Sequence, residues 1–111
     1  MRLNTAPMPR PALSIVVPCY NERSTVAELL RLVREVPIDN EIIVVDDKST
    51  DGSANIVAAL ADEWPEIRHV FQPVNMGKGA AIRRGIAEAR GEIARLSGHK
   101  ARERAAGEHT L

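Results

Sequence analysis

Four of the fifteen acidic residues lie in two short stretches that follow apolar runs. Asp46 and Asp47 directly follow the apolar run "IIVV", Asp51 comes shortly after them, and Glu22 lies in "PCYNER". Ionised carboxylates are costly to bury without partners, so those at the end of a buried strand should face donor groups or a cation. An acidic residue after the second strand of a dinucleotide-binding fold accepts hydrogen bonds from ribose hydroxyls. The acidic cluster therefore predicts a nucleoside site.

A third stretch, "PVNMGKG", supplies the opposite charge. Gly77 and Gly79 allow the backbone to approach a ligand closely, Lys78 is a point charge, and the following helix offers its positive end. These features predict a phosphate site. The spacing of a P-loop is absent, and "GKGAAI" does not complete G-x-G-x-x-G. A glycine turn that simply begins a helix explains the same letters equally well.

Plainer structural interpretations also apply to other residues. Asp47 and Asp51 are suitable caps for the free N–H groups of a following helix, and that role can coexist with ligand binding. Cys19 has no histidine partner within motif reach, so we predict a small buried thiol rather than a nucleophile. The three histidines lack metal-ligand spacing, which argues against a zinc site. Trp64 is expected to pack on its own helix.

The elements that position these residues alternate between strand and helix. Apolar β-branched runs predict buried strands at 13–17 and 41–45, and a weaker pattern predicts a third at 67–72. Helical spacing follows each strand, and Thr25 with Glu28 predicts a capping box at the first helix. The third helix is predicted over residues 80–89, despite a destabilising glycine at position 85.

This order predicts an α/β fold, a Rossmann-like parallel sheet with helices on both faces. Loops that leave the carboxyl ends of parallel strands lie along one edge of the sheet, where ligands bind. We therefore expect "PCYNER", "DDKSTDG" and "PVNMGKG" to meet in space.

Length and composition limit the class of protein. The chain has 111 residues, 44% of them hydrophobic, and a formal net charge of zero. One domain is expected at 12–93, after a flexible proline-rich arm at 1–11 and before a divergent polar tail at 94–111. The neutral balance gives no support for nucleic-acid binding. No apolar run approaches the roughly 20 residues of a transmembrane helix. The single cysteine and the absence of a signal-peptide pattern predict a cytoplasmic protein.

Together, "IVVPCYNE", "IIVVDDKSTDGS" and "NMGKGAAIRRGIAEARGE" resemble the opening of a family 2 glycosyltransferase, over about Leu13 to Glu92. The pattern is most similar to polyprenyl-phosphate sugar transferases of the dolichyl-phosphate mannose synthase type. The resemblance implies the N-terminal nucleotide-binding half of a GT-A fold, a UDP- or GDP-linked sugar as ligand, Mg²⁺ or Mn²⁺ as cofactor, and sugar transfer with inversion to a polyprenyl phosphate or saccharide. It implies these nucleotide-binding residues: Pro18, Tyr20, Asn21, Glu22, Asp46, Asp47, Asp51, Asn75, Gly77, Lys78 and Gly79.

The sequence departs from the family pattern after Ile93. The family continues into a fourth apolar strand that ends in an Asp-X-Asp metal motif, whereas "ARLSGHKARERAAGEHTL" has no apolar run and no aspartate. The metal ligands and a catalytic base are therefore missing, and no catalytic residue is assigned. A truncated or frame-shifted product, weak or inactive alone, is the expectation. In the full-length family the acceptor would lie at a membrane surface.

Three other interpretations stay open from the sequence. "VVDD" is compatible with a receiver-like phosphoacceptor, although the required later aspartate is missing. Gly77 and Gly79 are compatible with an NAD-binding module, although "PCYNER" has no glycine. A non-functional fragment is the remaining alternative, and a three-stranded piece would expose a sheet edge through which the chain could self-associate.

Overall fold

The computed structural model describes residues 11–95 of the chain. Within that range, strands alternate with helices, as the predicted α/β class requires. In chain order the elements are β1 (Leu13–Cys19), α1 (Val26–Val33), β2 (Asn40–Asp46), α2 (Ser53–Glu63), β3 (Ile67–Phe71), α3 (Lys78–Glu88) and β4 (Glu92–Arg95).

The described strands form one parallel sheet in the order β3-β2-β1-β4. The chain builds outward from β1 to β3 and then crosses back to place β4 on the other side of β1. This reversal of strand order is the topological switch point at which α/β sheets bind ligands, beyond the carboxyl ends of the strands. The loop that follows β1 therefore leaves the sheet at the switch point.

The expectation of a three-stranded piece is wrong, because β4 adds a fourth strand. Its residues pair in parallel with β1, from Glu92 opposite Leu13 to Arg95 opposite Val16. The pairing also needs Gly91, where a Cβ atom would lie 2.5 Å from the carbonyl oxygen of Pro11. Pro11, expected in the loose arm, is buried. The remaining arm, residues 1–10, and the tail from residue 96 lie outside the described residues.

Strand β1 is two residues longer than predicted and continues through Pro18. Proline has no N–H to donate, so it is tolerated in a sheet only where no partner strand needs that bond. The neighbouring Cys19 carbonyl accepts the Asp47 N–H on the β2 side. The Pro18 nitrogen, which has no hydrogen to donate, faces the β4 side of β1. The described part of β4 pairs with β1 only as far as Val16, so no bond is lost there.

The sheet is covered by helices on both faces, as predicted. The larger core lies against α1 and α2, where Leu30 and Val57 pack on the fully buried Ile42 and Val44. The smaller core lies against α3, where Ala81 packs on Ile43 and Val45. Successive residues of β2 thus serve opposite faces, as the two-residue period of a strand dictates.

A buried carboxylate fastens the amino edge of the sheet. Glu41 of β2 accepts hydrogen bonds from the Ser14 hydroxyl (2.6 Å), the Arg68 guanidinium (2.9 Å), and both the backbone N–H (2.8 Å) and guanidinium of Arg90. Burial by itself raises the pKa of Glu41, but these hydrogen bonds outweigh it and lower the pKa to about 2. The carboxylate therefore links β1, β2 and β3 to the segment between α3 and β4.

Gly85 has a packing role in the middle of α3. A Cβ atom at this position would lie 2.3 Å from Cγ1 of Val16, a fully buried residue of β1. The sequence shows only the cost of glycine to helix propensity, whereas the structure shows that a larger residue would hold α3 away from the sheet. Glycine is therefore required here for close contact between helix and strand.

We expect Glu41→Gln to destabilise the fold at neutral pH, because it removes a charge that several donors surround. A carboxylate with a lowered pKa stabilises the folded state above its unfolded pKa and loses that contribution as the pH falls towards the folded value. The shift from 4.5 to about 2 corresponds to a contribution on the order of 3 kcal/mol. In urea denaturation, the stability difference between the wild type and Glu41→Gln should shrink between about pH 5 and pH 2.

The matched control is Glu35→Gln, since Glu35 is exposed just after the end of α1. This variant should track the wild type at every pH. A stability difference between wild type and Glu41→Gln that stays constant over the acidic range would contradict the role of the Glu41 charge.

We expect Gly85→Ala to destabilise the chain, although alanine is favoured over glycine in a helix by about 1 kcal/mol. The clash with Val16 should outweigh that gain, since overpacking a core costs typically about 1–3 kcal/mol. Gly79→Ala is the control: a Cβ there would lie 3.5 Å from the flexible end of Arg83, so it should be neutral or stabilising. Thermal denaturation measures both, and equal effects of the two changes would refute the packing role.

Candidate nucleotide site at the carboxyl edge of the sheet

Three loops leave adjacent strands at the carboxyl edge. Cys19, Asp46 and Phe71 are aligned in register at the ends of β1, β2 and β3. We call residues 20–25 the first loop, 47–52 the second loop and 72–77 the third loop. Hydrogen bonds join the first loop to the second and the second to the third, so the predicted meeting of these segments is confirmed.

Asn21 is the main link between the first and second loops. Its backbone N–H donates to the Ser49 hydroxyl (2.9 Å), and its side-chain Oδ1 accepts the Thr50 N–H (2.8 Å). Asn21 has φ 53°, in the left-handed region that asparagine tolerates better than most residues. The sequence places this residue in the site, and the structure shows what it does there: it orders two loops.

The next two residues of the first loop add further links. The Glu22 N–H donates to the Ser53 hydroxyl (2.8 Å), and the Arg23 N–H donates to Asp51 (3.1 Å). Asp51 also accepts the N–H of Ser53, the first residue of α2 (2.9 Å). Hydrogen bonding, first from the Ser53 hydroxyl, lowers the pKa of Asp51. Asp51 thus bonds an N–H at the start of α2, as its predicted capping role requires, while its role in nucleotide binding stays a prediction.

The predicted capping box at α1 is not formed. Thr25 is the N-cap residue, as predicted, but its side chain makes no capping hydrogen bond. Its hydroxyl instead donates to the Glu22 carboxylate (3.0 Å). The backbone carbonyl of Glu22 also accepts the N–H groups of Thr25 and Val26. The Thr25 side chain is therefore bonded to Glu22, and the predicted pairing of Thr25 with Glu28 is absent.

Asp46 is buried and turned into its own loop. One carboxylate oxygen accepts the Ser49 N–H (2.9 Å) and the other accepts the Ser49 hydroxyl (2.6 Å). The expectation that Asp46 faces donor groups or a cation is met by donors, which belong to Ser49 of the second loop. A side chain that bonds a backbone N–H further along the chain is a common turn device of aspartate.

Asp47 is also buried, but it faces the third loop. Its two oxygens accept the N–H groups of Met76 and Gly77, both at 2.8 Å. The alternative that Asp47 caps α2 is wrong, because both of its oxygens accept N–H groups at the start of α3 instead. One strand end thus supplies Asp46 to the second loop and Asp47 to the third.

The third loop ends at the start of α3, two residues before the predicted start. Gly77 is the N-cap residue with φ 94°, a backbone conformation that residues other than glycine rarely adopt. The first intrahelical bond runs from the Ala81 N–H to the Gly77 carbonyl, so three backbone N–H groups precede it. Asn75, Lys78 and Gly79 are exposed at this end of the helix.

Aromatic and apolar residues complete the surroundings. Tyr20 is 47% exposed in the first loop, and Pro18 is half-buried at the end of β1. Cys19 is buried, as predicted. Burial first, and then the charges of Asp46 and Glu22, raise the pKa of its thiol to about 12. The thiol is therefore kept protonated. The cytoplasmic location predicted from the single cysteine stays a prediction.

The described residues do not form a metal site. No group of three or more His, Cys, Asp or Glu side chains in residues 11–95 is arranged to hold a metal ion. The oxygens of Asp46 and Asp47 already accept N–H or O–H donors, and they would have to give up these hydrogen bonds to bind a metal ion.

Within residues 11–95, no helix has the length and apolarity to cross a bilayer.

The serines that connect the loops are not among the residues predicted from the sequence. Ser49 bonds Asn21 of the first loop and Asp46 at the end of β2. Ser53, which is fully buried, bonds Glu22 of the first loop and Asp51 of the second. Their signal was present in "DDKSTDGS", since serine just after aspartate commonly bonds nearby backbone and carboxylate groups. Their partners in the first loop were not readable, because about 30 residues separate the two segments.

The chain matches the model of the family described as "Glycosyl transferase family 2" over residues 14–96. It is 46% identical over 89 residues to a dolichyl-phosphate beta-glucosyltransferase, ALG5C, of Trichomonas vaginalis, which covers 72% of this chain and 26% of the relative. It is 40% identical over 92 residues to an undecaprenyl-phosphate 4-deoxy-4-formamido-L-arabinose transferase of Pseudomonas fluorescens, covering 78% of this chain and 27% of the relative. The chain thus spans about a quarter of the length of these relatives.

Solved structures show the same architecture. A mannosyltransferase from Pyrobaculum calidifontis, in complex with GDP-Man and Mn²⁺, superposes with a TM-score of 0.73 and 30% identity, over 83% of this chain and 28% of that one. S. aureus TarS in complex with UDP superposes with a TM-score of 0.70 and 26% identity, over 78% of this chain and 27% of that one. The described sheet and helices therefore match the N-terminal part of a GT-A fold.

We expect the Cys19 thiol to resist alkylation in the folded protein, because a buried thiol with a raised pKa carries little thiolate at pH 8. Iodoacetamide should modify it fully only after unfolding in guanidinium. Mass spectrometry follows the modification. Rapid labelling of the folded chain, at the rate of the unfolded one, would contradict the described burial.

Proposed function

The chain belongs to glycosyl transferase family 2, and on this premise we propose that its three loops bind the nucleotide of a UDP- or GDP-linked sugar. The observation that carries the proposal is the hydrogen bonding that fixes the first, second and third loops together at the switch point. Parallel α/β sheets bind ligands at this position. The match to structures in complex with GDP-Man and with UDP supports the ligand class.

The arrangement of charge supports a direction for the bound nucleotide. The first and second loops contain Glu22, Asp47 and Asp51 beside the cations Arg23 and Lys48, whereas the third loop has no acidic residue and leads into Lys78 and the positive end of α3. We propose that the nucleoside lies over the first and second loops, with Tyr20 beside the base, and that the diphosphate lies against Lys78. Aromatic side chains bind bases by stacking, and helix N-termini bind phosphate through free N–H groups.

The direct contacts are proposed to come from exposed groups. Tyr20, Asn75 and Lys78 have side chains accessible to a ligand. The oxygens of Asp46, Asp47 and Asp51 already accept hydrogen bonds within the loops. These carboxylates shape the site, and any contact they make to ribose or base would use their remaining acceptor capacity.

For this chain we propose nucleotide binding and assign no catalytic residue, because its residues do not provide the ligands for the metal ion that the family uses. The Pyrobaculum structure contains Mn²⁺ with its nucleotide sugar. A divalent cation would supply stabilisation of the leaving diphosphate. The five aspartates of the sequence stand at positions 39, 46, 47, 51 and 62, so no two of them form an Asp-X-Asp motif to hold that cation.

For the activity in which the chain takes part, we propose sugar transfer to a polyprenyl phosphate. The names of the Trichomonas and Pseudomonas relatives, which act on dolichyl phosphate and undecaprenyl phosphate, support this acceptor class. The family match favours this function over the receiver-like and NAD-binding alternatives.

We expect calorimetric titration of the purified chain with UDP and GDP to give weak binding to at least one of them. Lys78→Ala should weaken that binding about tenfold, since a hydrogen bond to a charged group contributes about 1.5–3 kcal/mol. The control is Arg31→Ala, which removes an exposed cation from α1, outside the three loops. No heat with either nucleotide at millimolar concentration would remove the proposed function.

A further inference from the structure

We propose that Lys48 of the second loop determines base specificity, by donating a hydrogen bond to a ring carbonyl of the bound base. This inference rests on the proposed function of the same site. It predicts a preference for uracil or guanine, which carry a carbonyl oxygen at that edge of the ring, over cytosine and adenine, which carry an amino group there. Lys48 is not among the nucleotide-binding residues that the family resemblance implies.

Lys48 lies between two residues that join the second loop to its neighbours. Before it, Asp47 accepts two N–H groups of the third loop, both at 2.8 Å. After it, the Ser49 hydroxyl accepts the N–H of Asn21 in the first loop at 2.9 Å. The backbone of Lys48 is therefore held between the first and third loops, in the middle of the candidate site.

The backbone of Lys48 has a conformation that the fold does not need a lysine to adopt. Its φ of 66° lies in the left-handed region, which glycine occupies freely and few other residues occupy at all. Asp46 helps to hold this turn, because its carboxylate accepts the N–H and the hydroxyl of Ser49. Residues fixed in rare conformations are frequent at ligand sites. The surrounding bonds account for the turn, but not for a lysine side chain within it.

The ammonium group of Lys48 is available to a ligand. The side chain is exposed, and no ion pair joins it to another residue in the range 11–95. The cation of the first loop, Arg23, is engaged instead, since its guanidinium donates to the Asp51 carbonyl at 3.3 Å. Lys48 can therefore donate to a base without giving up an ion pair inside the described structure.

A lysine is a selective group at the edge of a base. Its ammonium has three donors and no acceptor, so it bonds a carbonyl oxygen but not an amino group. Uracil O4 and guanine O6 are acceptors, whereas cytosine and adenine place donors at the same position. With the nucleoside over the first and second loops, the flexible four-carbon stem of Lys48 brings the ammonium to this edge. An amino group there would face a donor, which disfavours the wrong base.

The test measures the dissociation constants of UDP, CDP, GDP and ADP for the full chain by calorimetry. The wild type should bind UDP at least about fivefold more tightly than CDP, or GDP at least about fivefold more tightly than ADP. Lys48→Met keeps an unbranched stem without a donor. It should weaken UDP or GDP binding several-fold and leave CDP or ADP binding unchanged, so that most of the preference is lost. Lys48→Arg restores charged donors and should retain the preference.

Two further variants separate the side chain from the backbone. Lys48→Gly removes the ammonium and relieves the strain of φ 66°. It should lose the base preference as Lys48→Met does, while thermal denaturation shows a fold at least as stable as the wild type. The matched control is Arg31→Met, which removes an exposed cation of α1, outside the three loops, and should leave the preference unchanged.

Equal weakening of all four nucleotides in Lys48→Met would place the ammonium at the diphosphate that they share, and would overturn the role in base specificity. A wild type without preference within either pair would overturn it, as would a preference that survives in Lys48→Met. In these cases UDP or GDP still binds, and the proposed function stands. A wild type that binds neither UDP nor GDP would instead remove the proposed function, and this inference with it.

Discussion

The alternation of side chains along β2 is the constraint on which the rest of the structure depends. Glu41 and Asp47 bond groups at the two ends of α3, while Ile43 and Val45 pack against its middle through Ala81. Glu41, Ile43 and Val45 share one face of the strand because its period is two, and Asp47 follows one residue after its end. A strand with an apolar centre and a carboxylate at each end thereby fixes both ends of a helix.

The two ends of β2 have different roles: its amino end stabilises the fold, and its carboxyl end leads into the candidate site. At the amino edge, Glu41 is surrounded by Ser14 and two arginines, which offset the cost of burying its charge and leave no acceptor for a ligand. At the carboxyl edge, Asp47 orders the third loop and leaves the exposed Lys78 facing outward. The interactions that hold the helix are therefore also those that position the candidate site.

Much of this architecture is predictable from local sequence. β-Branched runs and helical spacing predicted β1, β2 and the helices, and parallel topology then predicted that the three loops meet. The fourth strand was missed because "EIAR" has no apolar run, and its pairing depends on the neighbouring edge of β1. The targets of Glu41, Asp46 and Asp47 were not readable, since they depend on the strand face and on partners remote in sequence. Gly85 was judged by helix propensity alone, whereas its value depends on Val16 across the interface.

The most direct test of the account is an NMR titration of the uniformly ¹⁵N-labelled wild-type chain with UDP and GDP. We predict that the shifted backbone amides fall in all three loops, 20–25, 47–52 and 72–77, and at the start of α3. The chemical shifts of the amides beside Glu41 and Arg90, at the opposite edge of the sheet, should not change. Shifts centred on the amino edge, or confined to one loop, would contradict the claim that these loops form one binding surface.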